Sequence, residues 1–231
     1  MKESNSLKAV LFDLDGTLID TAVEFIVVVQ SMRDKYGLPP TTSKSKIRES
    51  VSDGANALVK LALEVDEFHP EFSFYRQTFL DMYKDIAGKK CKPYNGIKKA
   101  IKWLGELEIK WGIATNKPRI YTDAILGKNI FNPIPNCVIC PEDIKNPKPS
   151  PEALLLGCKM LGCNPKETVY IGDHARDIEA GNTAGMYTIF ANYGYISARD
   201  RCKKIDANAF LQDPKELKKL LTNAFPCCKR G

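Results

Sequence analysis

The fold of this chain is decided by residues 10–18, which read VLFDLDGTL. The apolar run over residues 9–12 is typical of a buried strand, yet Asp13 and Asp15 follow it at once. Burial of an unpaired carboxylate is strongly unfavourable. We therefore expect a cation, or another compensating partner, close to the end of this strand.

Further apolar runs resemble the first and alternate with helical patterns. The runs cover residues 111–114, 137–140, 169–171 and 187–191. Helical periodicity separates most of them, over residues 96–107, 120–126, 150–161 and 178–184. Strands that alternate with helices indicate a parallel sheet that is covered on both faces. The sequence therefore predicts an α/β fold with a Rossmann-like parallel sheet core.

Residues 20–92 interrupt this alternation with helical patterns alone. Three such patterns follow one another, over residues 22–36, 53–63 and 72–83. The polar segment 88–93 then leads back to the alternating part of the chain. We expect two domains, a core of residues 1–19 and 93–231 and an inserted all-helical domain of residues 20–92.

The N-terminal segment and the short apolar runs favour a cytoplasmic protein, and the charge does not indicate a nucleic-acid binder. The first ten residues are polar and lead straight into a strand, and the longest apolar run, 25–29, is too short to span a bilayer. The net charge of +6 includes a lysine-rich patch over residues 89–102. No aromatic or basic-helix motif accompanies this patch, so we interpret it as a solvated surface and not as a nucleic-acid site.

The eight cysteines do not indicate a disulfide framework, because no secretory signal precedes them. Cys137 and Cys140 have the spacing of a metal knuckle. However, no second pair follows and the segment is predicted to be a buried strand. We therefore expect no zinc site there.

Reactive residues follow four of the predicted strands at the edge where ligands bind in an open parallel sheet. These residues are Asp13 with Asp15, Thr115 with Asn116, Lys148, and Asp173 with Asp177. The four carboxylates would repel one another, and a hard divalent cation with oxygen ligands resolves the repulsion. The sequence therefore predicts a Mg²⁺ site formed by Asp13, Asp15, Asp173 and Asp177.

The remaining residues of this set are suited to binding a phosphate group. Lys148 offers a point charge to a phosphate oxygen. The Thr115 hydroxyl and the Asn116 amide can donate hydrogen bonds to further oxygens. Gly16 allows the backbone to approach the ligand closely. A phosphate ester is therefore the expected substrate.

Four motifs resemble those of the haloacid dehalogenase superfamily of phosphohydrolases, namely DLDGTLID, ATNK, NPKPSP and GDHARD in this order. The resemblance runs through nearly the whole chain and implies that Asp13 is the nucleophile and Asp15 the general acid and base. It implies that Thr115 and Lys148 bind phosphate and that Asp173 and Asp177 bind the metal. The helical insert resembles the type-one cap of the phosphoglycolate-phosphatase-like branch.

The resemblance implies a two-step hydrolysis. Asp13 attacks phosphorus and forms an aspartyl-phosphate, while Asp15 protonates the leaving alkoxide and later deprotonates the attacking water. Mg²⁺ and Lys148 neutralise the charge on the transferring group, and the cap closes to exclude bulk water. Dehalogenases of the superfamily lack an acid at the position of Asp15, so this residue favours phosphate ester chemistry.

Substrate choice in this branch is read by the cap. The segments VICPEDIKNPKPSPEALLLGCKMLG and NYGYI, and the cap residues 51–55, are similar to bacterial N-acetylmuramic acid 6-phosphate phosphatases. This similarity implies a role in carbohydrate metabolism, in the recycling of peptidoglycan. Phosphoglycolate is the alternative substrate, because its phosphatases share the same type of cap.

Ser52, Asp53 and Gly54 are the candidate specificity residues of the cap. We expect Ser52 or Asp53 to cap a helix whose free N–H groups lie around Gly54, and such a helix end attracts anions. Both candidate substrates carry a carboxylate away from the phosphate, so this end is expected to face it, with Arg48 or Arg76 nearby. The alternative is an ordinary capped helix that contacts only the core.

Two further functions use the same residues differently. A phosphomutase would retain the phosphoryl group for transfer to a second hydroxyl, and a non-catalytic protein could use the same fold for binding alone. His174, within the last motif, is expected at the surface or in a supporting position next to the site. We expect a monomer or a homodimer that acts on a small-molecule phosphate ester.

Overall fold

The structure, a computed structural model, describes residues 6–40, 43–127, 129–196 and 204–229. Its strands are β1 (Ala9–Phe12), β2 (Ile19–Asp20), β3 (Lys92–Pro93), β4 (Lys110–Ala114), β5 (Cys137–Ile139), β6 (Thr168–Gly172), β7 (Tyr187–Ala191) and β8 (Ala209–Leu211). Six of them form one sheet in the order β5-β4-β1-β6-β7-β8, and all its neighbouring strands are parallel. The predicted α/β class with a parallel sheet core is confirmed.

The opening strand β1 lies in the middle of the sheet, between β4 and β6, and is completely buried. Its side chains alternate between two hydrophobic cores. Val10 and Phe12 pack into the core on one face, and Ala9 and Leu11 pack into the core on the other. Because both faces are covered, the strand is apolar at every position and shows no polar alternation.

Helices cover both faces of the sheet. They are α5 (Ile97–Glu106), α6 (Arg119–Leu126), α7 (Glu152–Leu161), α8 (Ala175–Ala184) and α9 (Leu217–Ala224). Helices α5 and α9 pack on the face of Val10, whereas α7 and α8 pack on the face of Leu11. Short 3₁₀ turns lie at Pro141–Asp143, Pro165–Glu167, Pro214–Glu216 and Pro226–Lys229.

Helix α8 begins three residues before its predicted start at residue 178, because a capping box fixes its first turn. The Asp177 carboxylate accepts a hydrogen bond from the backbone N–H of His174 at 3.0 Å. In return, Nδ1 of His174 accepts from the backbone N–H of Arg176 at 3.2 Å. The cap holds Asp177 and Arg176 in a fixed first turn at the end of β6.

The helical segment between β2 and β3 contains α1 (Ala22–Lys35), α2 (Lys44–Ser50), α3 (Ala55–Leu63) and α4 (Phe72–Ile86). Its own hydrophobic core includes Phe25, which stacks on Tyr83 with ring centroids 4.2 Å apart. Strands β2 and β3 pair antiparallel, so the chain enters and leaves this segment side by side. Helix α2 is not predicted from the sequence, because Ile47 is its one buried residue.

The buried carboxylate of Glu24 fixes the return of the chain from this helical segment. It accepts hydrogen bonds from the backbone N–H groups of Gly88, Lys90 and Cys91 at 2.8–3.2 Å. These bonds satisfy a charge that would otherwise be costly to bury. Glu24 therefore ties the start of α1 to the segment that precedes β3.

Two further findings concern membranes and thiols. No helix among the described residues is both long and apolar enough to cross a bilayer. The seven cysteines in the described part of the chain are all free, and the eighth, Cys202, lies outside the described residues. Cys137 lies in β5 and is buried.

Candidate active site

The ends of four parallel strands bring the candidate residues to one edge of the sheet. Asp13 directly follows β1, Thr115 follows β4, and Asp173 follows β6. Lys148 lies in the segment between β5 and α7 and reaches the same place. All four side chains are buried or nearly so. The topology thus concentrates charge at a single position that is largely shielded from solvent.

Asp13, Asp173 and Asp177 form an acidic cluster in which one oxygen of each lies within 4.8 Å of the others. Burial, and then repulsion from Asp13, raises the pKa of Asp173 well above its usual range. Oδ2 of Asp173 accepts from the backbone N–H of Tyr195 at 2.7 Å. Its Oδ1 is buried and has no hydrogen-bond partner among the described residues. This oxygen is well suited to ligate a hard cation.

Gly16 and Gly194 enclose Asp173 from two sides. A Cβ atom on Gly16 would lie 2.1 Å from Oδ2 of Asp173, and one on Gly194 would lie 2.3 Å from its Cβ. The φ of Gly16 is also +78°, in the region that favours glycine. The predicted close approach at Gly16 is thus made to the side chain of Asp173.

Lys148 supplies the cation that the opening strand requires. Its Nζ lies 2.7 Å from Oδ1 of Asp13 and 2.7 Å from Oδ1 of Asp177. It also donates to the carbonyl of Ala114 at 3.0 Å and contacts the hydroxyl of Tyr170 at 2.8 Å. Burial opposes the charge, but the two carboxylates raise the pKa of Lys148 above its ordinary value. The lysine is therefore an ammonium ion at neutral pH.

The pKa values of the two aspartates beside Lys148 shift in opposite directions. Burial raises the pKa of Asp13, and Lys148 offsets this only in part. Burial also acts against the charge of Asp177, but Lys148, and then Arg176, hold its pKa below the ordinary value. Asp177 is therefore the more firmly ionised of the two.

The Asp15 side chain lies outside the acidic cluster, although the sequence groups it with the other three carboxylates. Its Oδ1 accepts from the Thr21 hydroxyl at 2.5 Å. Nζ of Lys117 lies 3.1 Å from both of its oxygens. Lys117 also lies over the Tyr83 ring, 4.7 Å from its centroid. Asp15 thus has its own cation, and Lys117 is a site residue that the sequence interpretation missed within the ATNK motif.

The amide of Asn116 positions Lys148, whereas the sequence assigned it to phosphate. Its Nδ2 donates to the backbone carbonyl of Lys148, and its Oδ1 accepts from the backbone N–H of the same residue, both at 3.0 Å. The Thr115 hydroxyl is different. Its oxygen accepts from the backbone N–H of Lys117 at 3.1 Å, so its own hydrogen remains to be donated elsewhere.

A cavity of about 420 Å³ opens beside Asp13 and lies between the sheet edge and the helical segment. The sheet edge contributes Asp13, Asp15, Thr115, Asn116 and Lys117. The helical segment contributes residues 51–55, Phe25, Arg76, Leu80 and Tyr83. Its volume falls within the range of small-molecule sites, roughly 300–1,000 Å³.

Ser52, Asp53 and Gly54 all line this cavity. The prediction that Ser52 or Asp53 caps the following helix is wrong, because Gly54 is the N-cap of α3 and no side chain caps it. Instead, the carbonyl of Ser52 accepts from the guanidinium of Arg176 at 2.6 Å. Oδ1 of Asp53 lies 3.8 Å from Nε2 of His174. The φ of +83° at Gly54 favours glycine at this N-cap.

The two arginines that the sequence placed near this helix end lie in different surroundings. Arg76 lines the cavity, and its Nε donates to the side chain of Asn56. Arg48 forms an ion pair with Asp20 at 2.8 Å and donates to the hydroxyl of Tyr94. Arg48 thus supports the β2 connection and does not line the cavity.

Comparisons with known proteins agree with this geometry. A model of the family described as haloacid dehalogenase-like hydrolase matches residues 10–191. The N-acetylmuramic acid 6-phosphate phosphatase of Pseudomonas aeruginosa is 39% identical, over 96% of this chain and 98% of that protein. The phosphoglycolate phosphatase of Xanthomonas campestris is 30% identical, over 91% of this chain and 94% of that protein.

The fold of the chain is also found in solved structures. The crystal structure of a haloacid dehalogenase-superfamily hydrolase of subfamily IA from Geobacter sulfurreducens superimposes with a TM-score of 0.75. The alignment covers 95% of this chain and 99% of that chain, at 19% sequence identity. At this identity the likeness establishes the shared fold alone.

Proposed function

The chain belongs to the haloacid dehalogenase-like hydrolase family, and we propose that it is a Mg²⁺-dependent phosphatase that uses Asp13 as its nucleophile. One observation carries the proposal. Asp13 lies at the wall of the cavity, with the Lys148 ammonium 2.7 Å from its carboxylate and two further aspartates beside it. A nucleophile for phosphorus and a cation for the phosphoryl oxygens therefore lie together.

The substrate we propose is N-acetylmuramic acid 6-phosphate. Two features support it. The identity to the Pseudomonas aeruginosa phosphatase named for this ester is 39%, compared with 30% for the phosphoglycolate phosphatase of Xanthomonas campestris. The cavity of about 420 Å³ can hold a phosphorylated sugar. The enzyme would then act in the recycling of cell-wall sugars.

The chemistry we propose has two steps. The Asp13 carboxylate attacks phosphorus, the bond from phosphorus to the sugar oxygen breaks, and Asp15 gives its proton to the departing alkoxide. A water molecule then attacks the aspartyl-phosphate and gives a proton to Asp15. Inorganic phosphate leaves and Asp13 is restored.

Lys148 and Thr115 bind the phosphoryl group during both steps in this scheme. Lys148 is fixed by four contacts and so needs little reorganisation as negative charge accumulates on the phosphoryl oxygens. The free hydroxyl hydrogen of Thr115 can donate to another phosphoryl oxygen. Asn116 contributes indirectly, because its amide fixes the backbone of Lys148.

The metal that fits these residues is Mg²⁺. Of the clustered Asp13, Asp173 and Asp177, the ligands we propose are Asp13 and Asp173, and Asp173 offers a buried oxygen without a partner among the described residues. Hard oxygen donors of this kind select Mg²⁺ over softer ions. Both oxygens of Asp177 already have partners, because Oδ1 pairs with Lys148 and Oδ2 accepts from the backbone N–H of His174. The role we propose for Asp177 is to hold Lys148 and the first turn of α8 in place. When bound, Mg²⁺ would neutralise charge on the phosphate.

Residues 20–92 form the cap in this proposal, and residues 1–19 and 93–231 form the catalytic core. The cap helices line the cavity opposite Asp13, and the chain connects them to the core only through the adjacent strands β2 and β3. This arrangement suits a lid that shields the aspartyl-phosphate from bulk water.

The test is release of inorganic phosphate by the purified protein. We expect wild-type protein with Mg²⁺ to prefer N-acetylmuramic acid 6-phosphate at least about 100-fold, in kcat/KM, over hexose phosphates and nucleotides. We expect D13N to be folded and inactive, and release to need no bisphosphate activator. Undiminished activity in D13N would refute the nucleophile. A preference for 2-phosphoglycolate would replace the proposed substrate.

A further inference from the structure

Arg176 stands at the boundary between the proposed cap and the core. It occupies the first turn of α8, next to Asp177, and lines the cavity that contains Asp13. One guanidinium N–H donates to the carbonyl of Ser52, on the helical side, at 2.6 Å. Arg176 thus joins two parts of the chain that lie 124 residues apart in sequence.

The Arg176 guanidinium acts at a distance on Asp177, whose pKa it lowers together with Lys148 and against burial, but it forms no direct ion pair in the described part of the chain. No carboxylate lies within 4.0 Å of it among the residues that the structure describes. Its Nε is buried and has no hydrogen-bond partner among these described residues. Such a group is costly in the free protein and gains a strong partner when an anion binds.

The same region of the cavity contains the N-terminus of helix α3. Gly54 is its N-cap, with no side-chain cap, and both Gly54 and Ala55 line the cavity. The carbonyl that binds Arg176 belongs to Ser52, two residues before Gly54. The positive end of a helix and a guanidinium therefore converge on one stretch of the wall, and both favour a carboxylate or another anion.

We propose that Arg176, with the N-terminus of α3, binds the carboxylate of the substrate. This inference rests on the proposed function and names the part of the substrate that is read. In N-acetylmuramic acid 6-phosphate the carboxylate belongs to the lactyl ether, which is the group that N-acetylglucosamine 6-phosphate lacks. In the proposed reaction the phosphate binds at Asp13 and Lys148, so the two anionic groups of the substrate would bind to different residues around one cavity.

Arg76 lines the cavity as well, but its surroundings differ. Its side chain is exposed to solvent, and its Nε donates to Oδ1 of Asn56 at 2.9 Å. Solvent screens an exposed charge, so a carboxylate gains less from it than from a guanidinium that is partly buried. The exposed Arg76 is therefore a matched control for Arg176 in the same cavity.

The experiment compares two substrates that differ only in the lactyl group, N-acetylmuramic acid 6-phosphate and N-acetylglucosamine 6-phosphate. The measured quantity is the ratio of their kcat/KM values. We expect R176Q to lower this ratio about 10–150-fold, as loss of a charge-assisted hydrogen bond does, R176K to restore part of it, and R76Q to change it less than about threefold. Thermal unfolding checks that each variant is folded.

Three results would overturn the assignment: an unchanged ratio in R176Q, an equal loss for both substrates, or a larger effect of R76Q. A measurement without turnover separates this inference from the proposed function. In the D13N background, calorimetry should show that R176Q weakens binding of the muramic ester and leaves binding of the glucosamine ester unchanged.

If wild-type protein prefers 2-phosphoglycolate, the same variants are compared on it and on 2-hydroxyethyl phosphate, which lacks the carboxylate. The assignment fails if that ratio is also unchanged.

Discussion

Replacement of Lys148 by methionine tests how the buried charges of the site are balanced. The Lys148 ammonium lies 2.7 Å from both Asp13 and Asp177 and is almost completely buried. Methionine keeps an unbranched side chain of similar length, so the cavity left behind is small. The substitution therefore removes chiefly the charge, and it leaves two buried carboxylates without their cation.

The size of the effect follows from that geometry. Removal of one partner from a buried ion pair costs about 3–5 kcal/mol, because the remaining charge is buried without compensation. For a chain of this size, about 1 kcal/mol corresponds to a change in Tm of roughly 2–4 °C. We therefore expect K148M to unfold about 6–20 °C below the wild-type protein when metal is removed by EDTA. Added Mg²⁺ should restore part of this loss, because it supplies positive charge to the same carboxylates.

Thermal unfolding with and without Mg²⁺ measures this difference, and phosphate release measures its catalytic consequence. The control is K110M. Lys110 is exposed to solvent, and its Nζ donates to the backbone carbonyl of Leu161 at 2.7 Å, so among the described residues its removal leaves no buried carboxylate unpaired. We expect K110M to remain within about 1 kcal/mol of wild type. Activity of K148M should fall about 10²–10³-fold, as when one preorganised donor is lost. If K148M in EDTA unfolded at the same temperature as K110M, the role of Lys148 in balancing the charges of Asp13 and Asp177 would be refuted.

Three further predictions concern Asp173 and its surroundings. In G16A the added Cβ would lie 2.1 Å from Oδ2 of Asp173, so a Mg²⁺ titration of activity should show at least about tenfold weaker activation. The hydroxyl of Tyr195 accepts from the buried backbone N–H of Ala22 at 2.9 Å, so Y195F should lower the free energy of unfolding by about 1–3 kcal/mol, measured by denaturant titration. Burial and then Asp13 raise the pKa of Asp173 above its ordinary value of 3.8, so the folded protein binds this proton more tightly than the unfolded chain. Without metal, the free energy of unfolding should therefore increase as the pH falls through the raised pKa towards 3.8. Melting curves in EDTA from about pH 8 to about pH 5 should show a rise in Tm that is smaller in D173N than in the wild-type protein.

The sequence predicts the sheet well because its buried strands are continuous apolar runs. The five predicted strands lie within one residue of their bounds in the structure, and β1 is central, as a run buried on both faces should be. Strand β8 was missed. Its apolar run is only the three residues AFL, and because Phe210 is 47% exposed, this run is not a continuously buried one. Helix α2 was not predicted because its sequence, KSKIRES, is almost wholly polar and has no helical pattern of apolar residues.

The sequence also predicts one part of the site, the residues at the strand ends, but not the contacts between them. Strand ends in a parallel sheet meet at one edge, so a sequence can indicate that Asp13, Lys148 and Asp173 lie together. It cannot indicate which carboxylate each lysine contacts. The ion pair between Lys117 and Asp15 joins residues 102 positions apart, and it forms because the neighbouring strands β1 and β4 end side by side. The sequence therefore identified the four aspartates and Lys148, but it missed Lys117 and did not show which carboxylate each lysine contacts.

Those partners matter for the proposed chemistry, because Asp15 must carry a proton when it acts as an acid. Its carboxylate is bound by Lys117 from the sheet edge and by Thr21, just before α1. Lys117 in turn lies over the rings of Phe25 and Tyr83, which belong to the helical segment. The aromatic residues that shape the cavity wall therefore also contact the cation that balances the proposed acid. We therefore expect Y83A to lower kcat as well as to raise KM, whereas loss of a residue that only binds substrate would alter KM alone.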